Sequence, residues 1–196
     1  MQSVAERATF YFDFNSPYAW LAAERIDGFV PDAEWRPIAF PLLLHRLGTL
    51  EAAMKRNSAP VVEEVSRRAA ERGLPPFNPP PGWPLESWSL VPLRAALFAD
   101  DRGRLRDFSA AVFRAMFARA QPITELTTVL EAAGEAGLDA AGVREAVERQ
   151  DVKDRLKANT DEAFDRGVTG IPTVAIGDDL FWGDDRLEEA AAALAR

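Results

Sequence analysis

Over residues 9–14 the chain alternates, with Thr9, Tyr11 and Asp13 interleaving with Phe10, Phe12 and Phe14. A two-residue period with aromatics on one face predicts a strand. Residues 18–27 change to helical spacing and close at Gly28, and residues 34–39 suit a second strand, so the front of the chain reads strand, helix, strand. The right-handed crossover rule makes those two strands parallel. From Pro41 the strand period is lost. Residues 42–47 predict a short helix, and residues 51–72 are charged and alanine-rich with no strand-like alternation, ending at Gly73, Pro75 and Pro76. Helices follow at 90–99, 104–120, 125–136, 139–148 and 152–165; the second carries a core-facing stripe of Phe108, Val112, Phe113, Met116 and Phe117. Strand chemistry returns at 172–176, and Gly177-Asp178-Asp179 turns the chain into 180–182 as a hairpin. Residues 185–195 predict a closing helix. The pattern is an α/β sheet split by a helical insertion.

Residues 73–89 fit neither period. They hold Pro75, Pro76, Pro79, Pro80, Pro81 and Pro84 with Phe77, Trp83 and Trp88, a composition that favours stiff, extended backbone. Two readings stand. The aromatics cover the helical core, or Phe77, Trp83 and Trp88 form the wall of a pocket for a flat apolar ligand.

Composition narrows the chemistry. A chain of 196 residues suits one core domain carrying a large insertion. Hydrophobic content of 47% with 28% charged residues is that of a soluble globular protein, and no run approaches the ~18 apolar residues of a membrane span. Met1 to Arg7 lacks a basic start followed by an apolar core, so no secretory signal is expected and a cytoplasmic location is. A formal charge of −8 argues against nucleic acid as a partner. Cysteine is absent, which excludes disulfides, thiolate metal sites and a protein dithiol as redox centre. The single histidine, His45, excludes a two-histidine metal site, and no EF-hand loop is present, so no metal is expected. His45 lies in a leucine-rich stretch and no Gly-x-Ser-x-Gly elbow occurs, which disfavours a Ser-His hydrolase.

One polar position remains at the first strand-to-helix junction. Ser16 precedes Pro17, whose fixed φ and missing amide suit the first helical position, so Ser16 is a natural N-cap. The same hydroxyl, at a helix start, could also face an anion such as a thiolate.

Three blocks in order extend that second reading: Asp13-Phe14-Asn15-Ser16-Pro17-Tyr18-Ala19-Trp20, Gly167-Val168-Thr169-Gly170-Ile171-Pro172-Thr173 and Phe181-Trp182-Gly183-Asp184-Asp185-Arg186-Leu187. Together with the layout they resemble the 2-hydroxychromene-2-carboxylate isomerase family, which has a DsbA-like thioredoxin fold and is allied to kappa-class glutathione transferases. The resemblance implies a thioredoxin-like domain from residues 1–41 and 152–196, with residues 42–151 as the helical insertion. It implies a cis bond before Pro172. Its implied cofactor is glutathione or another low-molecular-weight thiol, with Ser16 as the catalytic residue at the sulfur and Pro17 and Tyr18 beside it. Ile171 and Pro172 would receive the peptide main chain, and Asp184 and Asp185 the glutamyl end. The two aspartates also read as an N-cap and a first-turn acid. A small aromatic-derived substrate and a homodimer are implied as well. The family's Asn-x-Pro-Pro stretch has no clean equivalent in Gly48-Thr49-Leu50-Glu51 or Asn57-Ser58-Ala59-Pro60, so its contacts are not carried over. The expected activity is thiol-dependent isomerisation; a glutathione transferase and a non-catalytic thioredoxin-fold binding protein are the alternatives.

Overall fold

The computed structural model describes residues 7–195. Met1 to Glu6, read above for a targeting signal, lie outside the described residues. Strand β1 (Thr9–Phe12) is buried along its length. It ends before Asp13 because that residue turns the chain: its Oδ1 accepts from the Asn15 amide at 3.0 Å, and its carbonyl accepts from the Ser16 amide at 3.1 Å. Helix α1 (Pro17–Ala23) follows, shorter than its pattern suggests, and a 3-10 turn at Ile26–Gly28 leads to β2 (Glu34–Pro37). Strand β2 runs parallel to β1, with Thr9 opposite Glu34.

The insertion is all helix and loop: α2 (Phe40–Arg46), α3 (Leu50–Met54), α4 (Ala59–Glu71), α5 (Leu90–Asp100), α6 (Leu105–Phe117), α7 (Leu126–Glu135) and α8 (Ala140–Ala146). Helix α9 (Gln150–Asp165) returns the chain to the sheet. Helices α2 and α9 run through the cuts expected near residues 41 and 152. The charged stretch divides into α3 and α4 at an Asx turn, where Asn57 Oδ1 accepts from the Ala59 amide at 3.0 Å. The hairpin β3 (Thr173–Ile176) and β4 (Asp179–Trp182) precedes the closing helix α10 (Leu187–Leu194).

The four strands lie in the order β2-β1-β3-β4, with β3 antiparallel to β1 and to β4. The aromatic alternation of β1 fills one face. Phe10 and Phe12 stack at 5.5 Å, Phe14 meets Phe113 of α6 at 5.0 Å, and Trp35 closes edge-on over Phe10 at 5.0 Å. On the other face Tyr11 and Ala175 lie in a smaller core with Ile38, Leu43, Ala163, Val168 and Ile171. Thr9 pairs with Ala175 and Tyr11 with Thr173. Continued past the last pair, that antiparallel register sets Pro172 opposite Phe12. The Ser16 turn, the cis Ile171–Pro172 bond and the turn after β4 therefore open at one end of the sheet. The last of these is tied to the second, because the Gly183 amide donates to the Pro172 carbonyl at 2.9 Å.

Helix α4 connects the insertion to that end. Val65 and Ala69 bury its apolar side, while Arg68 and Arg72, one turn apart, reach the same carboxylate. Arg68 Nη1 lies 2.5 Å from Asp184 Oδ1, and Arg72 Nη1 lies 2.5 Å from Asp184 Oδ2. The Asp184 side chain is 1% exposed. Removing one member of a buried ion pair leaves its partners uncompensated, which costs more than the pair itself contributes. Asp184→Asn is expected to lower unfolding free energy by about 3 kcal/mol. Denaturant unfolding measures this, and a loss below about 1 kcal/mol contradicts it.

Candidate active site

Ser16 caps α1 from an extended backbone conformation, and its Oγ accepts from the Ala19 amide at 3.2 Å. Capping uses a lone pair of the hydroxyl. The O–H itself donates to no acceptor among the described residues, so the group holds the helix start and keeps a free donor. Pro17 has no amide to compete for it, and the Tyr18 amide is likewise without a partner among the described residues. His45 lies exposed in the last turn of α2 and is not bonded to Ser16.

The turn that carries Ser16 is fixed from below by Asp13, which is fully buried. Its Oδ2 accepts from the Phe40 amide at 2.9 Å, at the start of α2. Ser89, the N-cap residue of α5, stands near the same carboxyl and lowers its pKa. One side chain thus joins the β1–α1 turn to the start of an insertion helix. Burial pushes the Asp13 carboxyl above its ordinary range, against the lowering effect of the Asn15 amide, the nearby Ser89 hydroxyl and the Phe40 amide.

The turn is also fixed from above, by the proline-rich loop. Trp83 Nε1 donates to the Asn15 carbonyl at 3.2 Å, and Asn15 Nδ2 donates to the Pro84 carbonyl at 3.2 Å, next to a second cis bond, Trp83–Pro84. Phe77 stacks on Trp20 at 6.1 Å and meets Phe117 at 5.5 Å and Trp83 at 5.8 Å. Phe77 and Trp83 thus pack together beside α1 and α6. Trp88 stands apart from this cluster and is 55% exposed.

At the same end of the sheet as Ser16 lies the segment around Pro172. The Ile171 side chain is buried in the smaller core, but neither its amide nor its carbonyl makes a hydrogen bond among the described residues. Buried or half-buried backbone groups are almost always paired, so this pair is available to an extended ligand. Asp184 and Asp185 precede α10 but do not cap it; Arg186 is the N-cap residue. Asp184 is occupied by Arg68 and Arg72, whereas the Asp185 side chain is 59% exposed and lies 3.5 Å from Arg68.

A polar chain links these parts. Tyr18 Oη donates to Glu64 Oε2 at 2.6 Å, Glu64 Oε1 lies 2.5 Å from Arg68 Nη2, and Arg68 continues to Asp184. Burial first, and the Glu64 bond second, push the Tyr18 hydroxyl up to about 12. The same bond from Tyr18 is the main cause holding the Glu64 carboxyl below its ordinary range. Tyr18 therefore stays neutral near pH 7 and acts as a donor to Glu64.

Glu64, Arg68 and Arg72 carry no motif signal in the sequence, and Asp13 stands in the first block with no role of its own. An acid at the end of a strand, and two arginines four apart on a charged helix, are ordinary surface signals; their partners lie 116 positions away in the case of Arg68 and Asp184. Two clefts, of about 230 and 220 Å3, lie elsewhere. The first is lined by Arg36, Asp100, Arg155 and Asn159, and the second by Glu24, Asp27, Arg106 and Arg114. Their arginines are paired with their own acidic neighbours, and neither cleft includes a candidate site residue singled out from the sequence.

The Asp13 carboxyl makes a pH-dependent contribution with a definite sign. Its folded pKa is raised, so the stability it adds is complete below the ordinary carboxylate pKa and is lost as pH rises through the raised value. Stability of the wild type relative to Asp13→Asn should therefore fall as pH rises above the ordinary carboxylate pKa of about 4, read from denaturant midpoints. A difference that does not change with pH contradicts the assignment.

Comparison with known proteins places the chain. A curated 2-hydroxychromene-2-carboxylate isomerase from Sphingobium xenophagum is 26% identical over 187 residues, covering 91% of this chain and 93% of that protein. The solved structure of a 2-hydroxychromene-2-carboxylate isomerase superposes with a TM-score of 0.84 at 21% identity, over 96% of this chain and 94% of the other. A probable DsbA oxidoreductase from Streptomyces coelicolor superposes with a TM-score of 0.73 at 20% identity, over 97% and 90%. These likenesses extend the thioredoxin-like architecture over the full described chain, including the helical insertion. Residues 8–195 match the model of the DSBA-like thioredoxin domain, and the chain belongs to that family.

Proposed function

We propose that the protein is a glutathione-dependent isomerase of the 2-hydroxychromene-2-carboxylate type, acting on a small aromatic-derived substrate. Its DSBA-like family contains both oxidoreductases and isomerases by name, and the chain itself separates them. With no cysteine it has no dithiol to exchange, so a thiol reaction here uses an external sulfur. The likeness to proteins named as isomerases, over more than nine-tenths of the chain, supports the isomerase side.

The observation that carries the reading is the divided use of the Ser16 hydroxyl. Its oxygen accepts from Ala19 while its proton is unspent, at the end of the sheet where Ile171 leaves both backbone groups unpaired. These unspent groups fit a peptide thiol: one donor for the sulfur, and one donor and one acceptor for a main chain beside it. When bound, the thiol supplies reversible nucleophilic addition to an electrophilic carbon, which permits isomerisation with no net oxidation.

The chain's own residues orient and stabilise. Ser16 donates to the sulfur and favours its ionised form, since hydrogen bonding to the charged state lowers a thiol pKa. The Tyr18 amide adds a second donor at the same place. Ile171 holds the peptide in an extended conformation beside Pro172. Asp185 accepts from the glutamyl ammonium. Asp184 is a positioning residue: with both oxygens held by Arg68 and Arg72, it fixes the turn on which Asp185 stands. Trp83, bonded to the Asn15 carbonyl, keeps the aromatic loop over the turn, and that loop provides the apolar surface for the second substrate.

Steady-state isomerisation of a 2-hydroxychromene-2-carboxylate, with and without glutathione, tests the reading. Activity should require glutathione and fall roughly hundredfold in Ser16→Ala, as when one donor to a developing anion is removed, while Ser16→Thr retains most of it. Product mass identifies the outcome: unchanged substrate mass is isomerisation, and a stable adduct is transfer. Equal activity in wild type and Ser16→Ala, or activity without any thiol, sinks the proposal.

A further inference from the structure

Trp182 is the most exposed large apolar side chain among the described residues, at 60%. It ends the edge strand β4, opposite Thr173, on the same side of the sheet as Leu180, which packs into the smaller core with Ile171. The indole is seated on Gly170. A Cβ at that position would stand 2.3 Å from Trp182 Cε2, 2.4 Å from Nε1 and 2.6 Å from Cζ2. Gly170 is not in the left-handed region, so its backbone conformation does not require glycine; the contact with the indole does. The next residue is Ile171, with its unpaired amide and carbonyl and its buried side chain. An exposed aromatic face therefore stands one residue from two unspent backbone groups, and only the backbone of Ile171 is left for a ligand to use.

We propose that Trp182, held on Gly170, is a specificity-determining platform of the thiol site, covering one side of a peptide thiol as its main chain pairs with Ile171. This rests on the thiol reading given above. Hydrogen bonds to Ile171 alone would stay open to water and distinguish little between thiols. An indole laid beside them excludes water from the pairing and rewards a ligand with enough extended backbone to lie along it. The class selected is a tripeptide-sized thiol in preference to a single thiol amino acid.

Calorimetric titration of the full chain with reduced glutathione, and separately with free cysteine, tests this in wild type and in variants at both positions. Trp182→Ala should weaken glutathione binding about tenfold, the scale of uncovering part of an aromatic face, and leave cysteine binding nearly unchanged. Trp182→Phe should stay within about threefold of wild type, since a smaller ring still covers the strand. Gly170→Ala, which displaces the indole, should match Trp182→Ala, and the double variant should be no weaker than either, because both remove one element. Glutathione affinity unchanged in Trp182→Ala overturns the proposal, as do additive effects of the two substitutions. A shift in oligomeric state on size-exclusion chromatography with glutathione affinity intact also overturns it and assigns the face to a second copy of the chain. Absence of saturable glutathione binding to the wild type overturns the thiol reading and this inference together, whereas binding indifferent to Trp182 overturns only the latter.

Discussion

The Asp13 carboxyl is buried with no bonded cation among the described residues, and two segments converge on it. The Asn15 amide comes from its own turn and the Phe40 amide from the start of α2. Burying a carboxyl is costly unless it is hydrogen-bonded, and here each bond also fixes the entry of a different element. Because Asp13 and Ser16 share one tight turn, the position of the Ser16 hydroxyl depends on this junction. The insertion is for that reason more than an added lobe: its first helix begins at the residue that shapes the site.

A second junction works through charge. Arg68 and Arg72 neutralise Asp184 across the gap between α4 and the turn before α10, while Glu64 extends the chain to Tyr18. Buried ion pairs contribute little net stability compared with apolar packing, but they tolerate few alternative geometries. Such a network suits a place where a turn must be held in one position. It also divides two adjacent aspartates by role, with Asp184 facing inward to the arginines and Asp185 exposed.

Much of this was legible in the sequence because it rests on local rules. The alternation of Phe10, Phe12 and Phe14 gave β1 its inner face, the glycine-bounded 172–176 segment gave the hairpin, and Ser16-Pro17 gave the start of α1. Ends were less legible. Strand β1 stops at Phe12 because Asp13 bonds its own turn, an outcome decided by side-chain geometry and not by period. Long-range pairs were illegible: nothing near Arg68 points to Asp184, and the acidic pair before α10 reads as helix-capping until two arginines bury one member. The proline-rich loop shows the same limit. Its composition predicted a stiff, aromatic segment, but which indole bonds the Asn15 carbonyl and which stands in solvent follows from packing against Trp20 and Phe117.

The central claim is that a chain without sulfur nucleophiles holds a borrowed thiol in its ionised form through the spare donor of a helix-capping serine. The most direct measurement is the pKa of the glutathione thiol in its complex with the protein, followed by thiolate ultraviolet absorbance against pH in wild type and Ser16→Ala. The account predicts a bound thiol titrating at least one unit below the free value near ~8.5, with that shift largely lost in Ser16→Ala. A bound thiol that titrates at the free value in both proteins would contradict it.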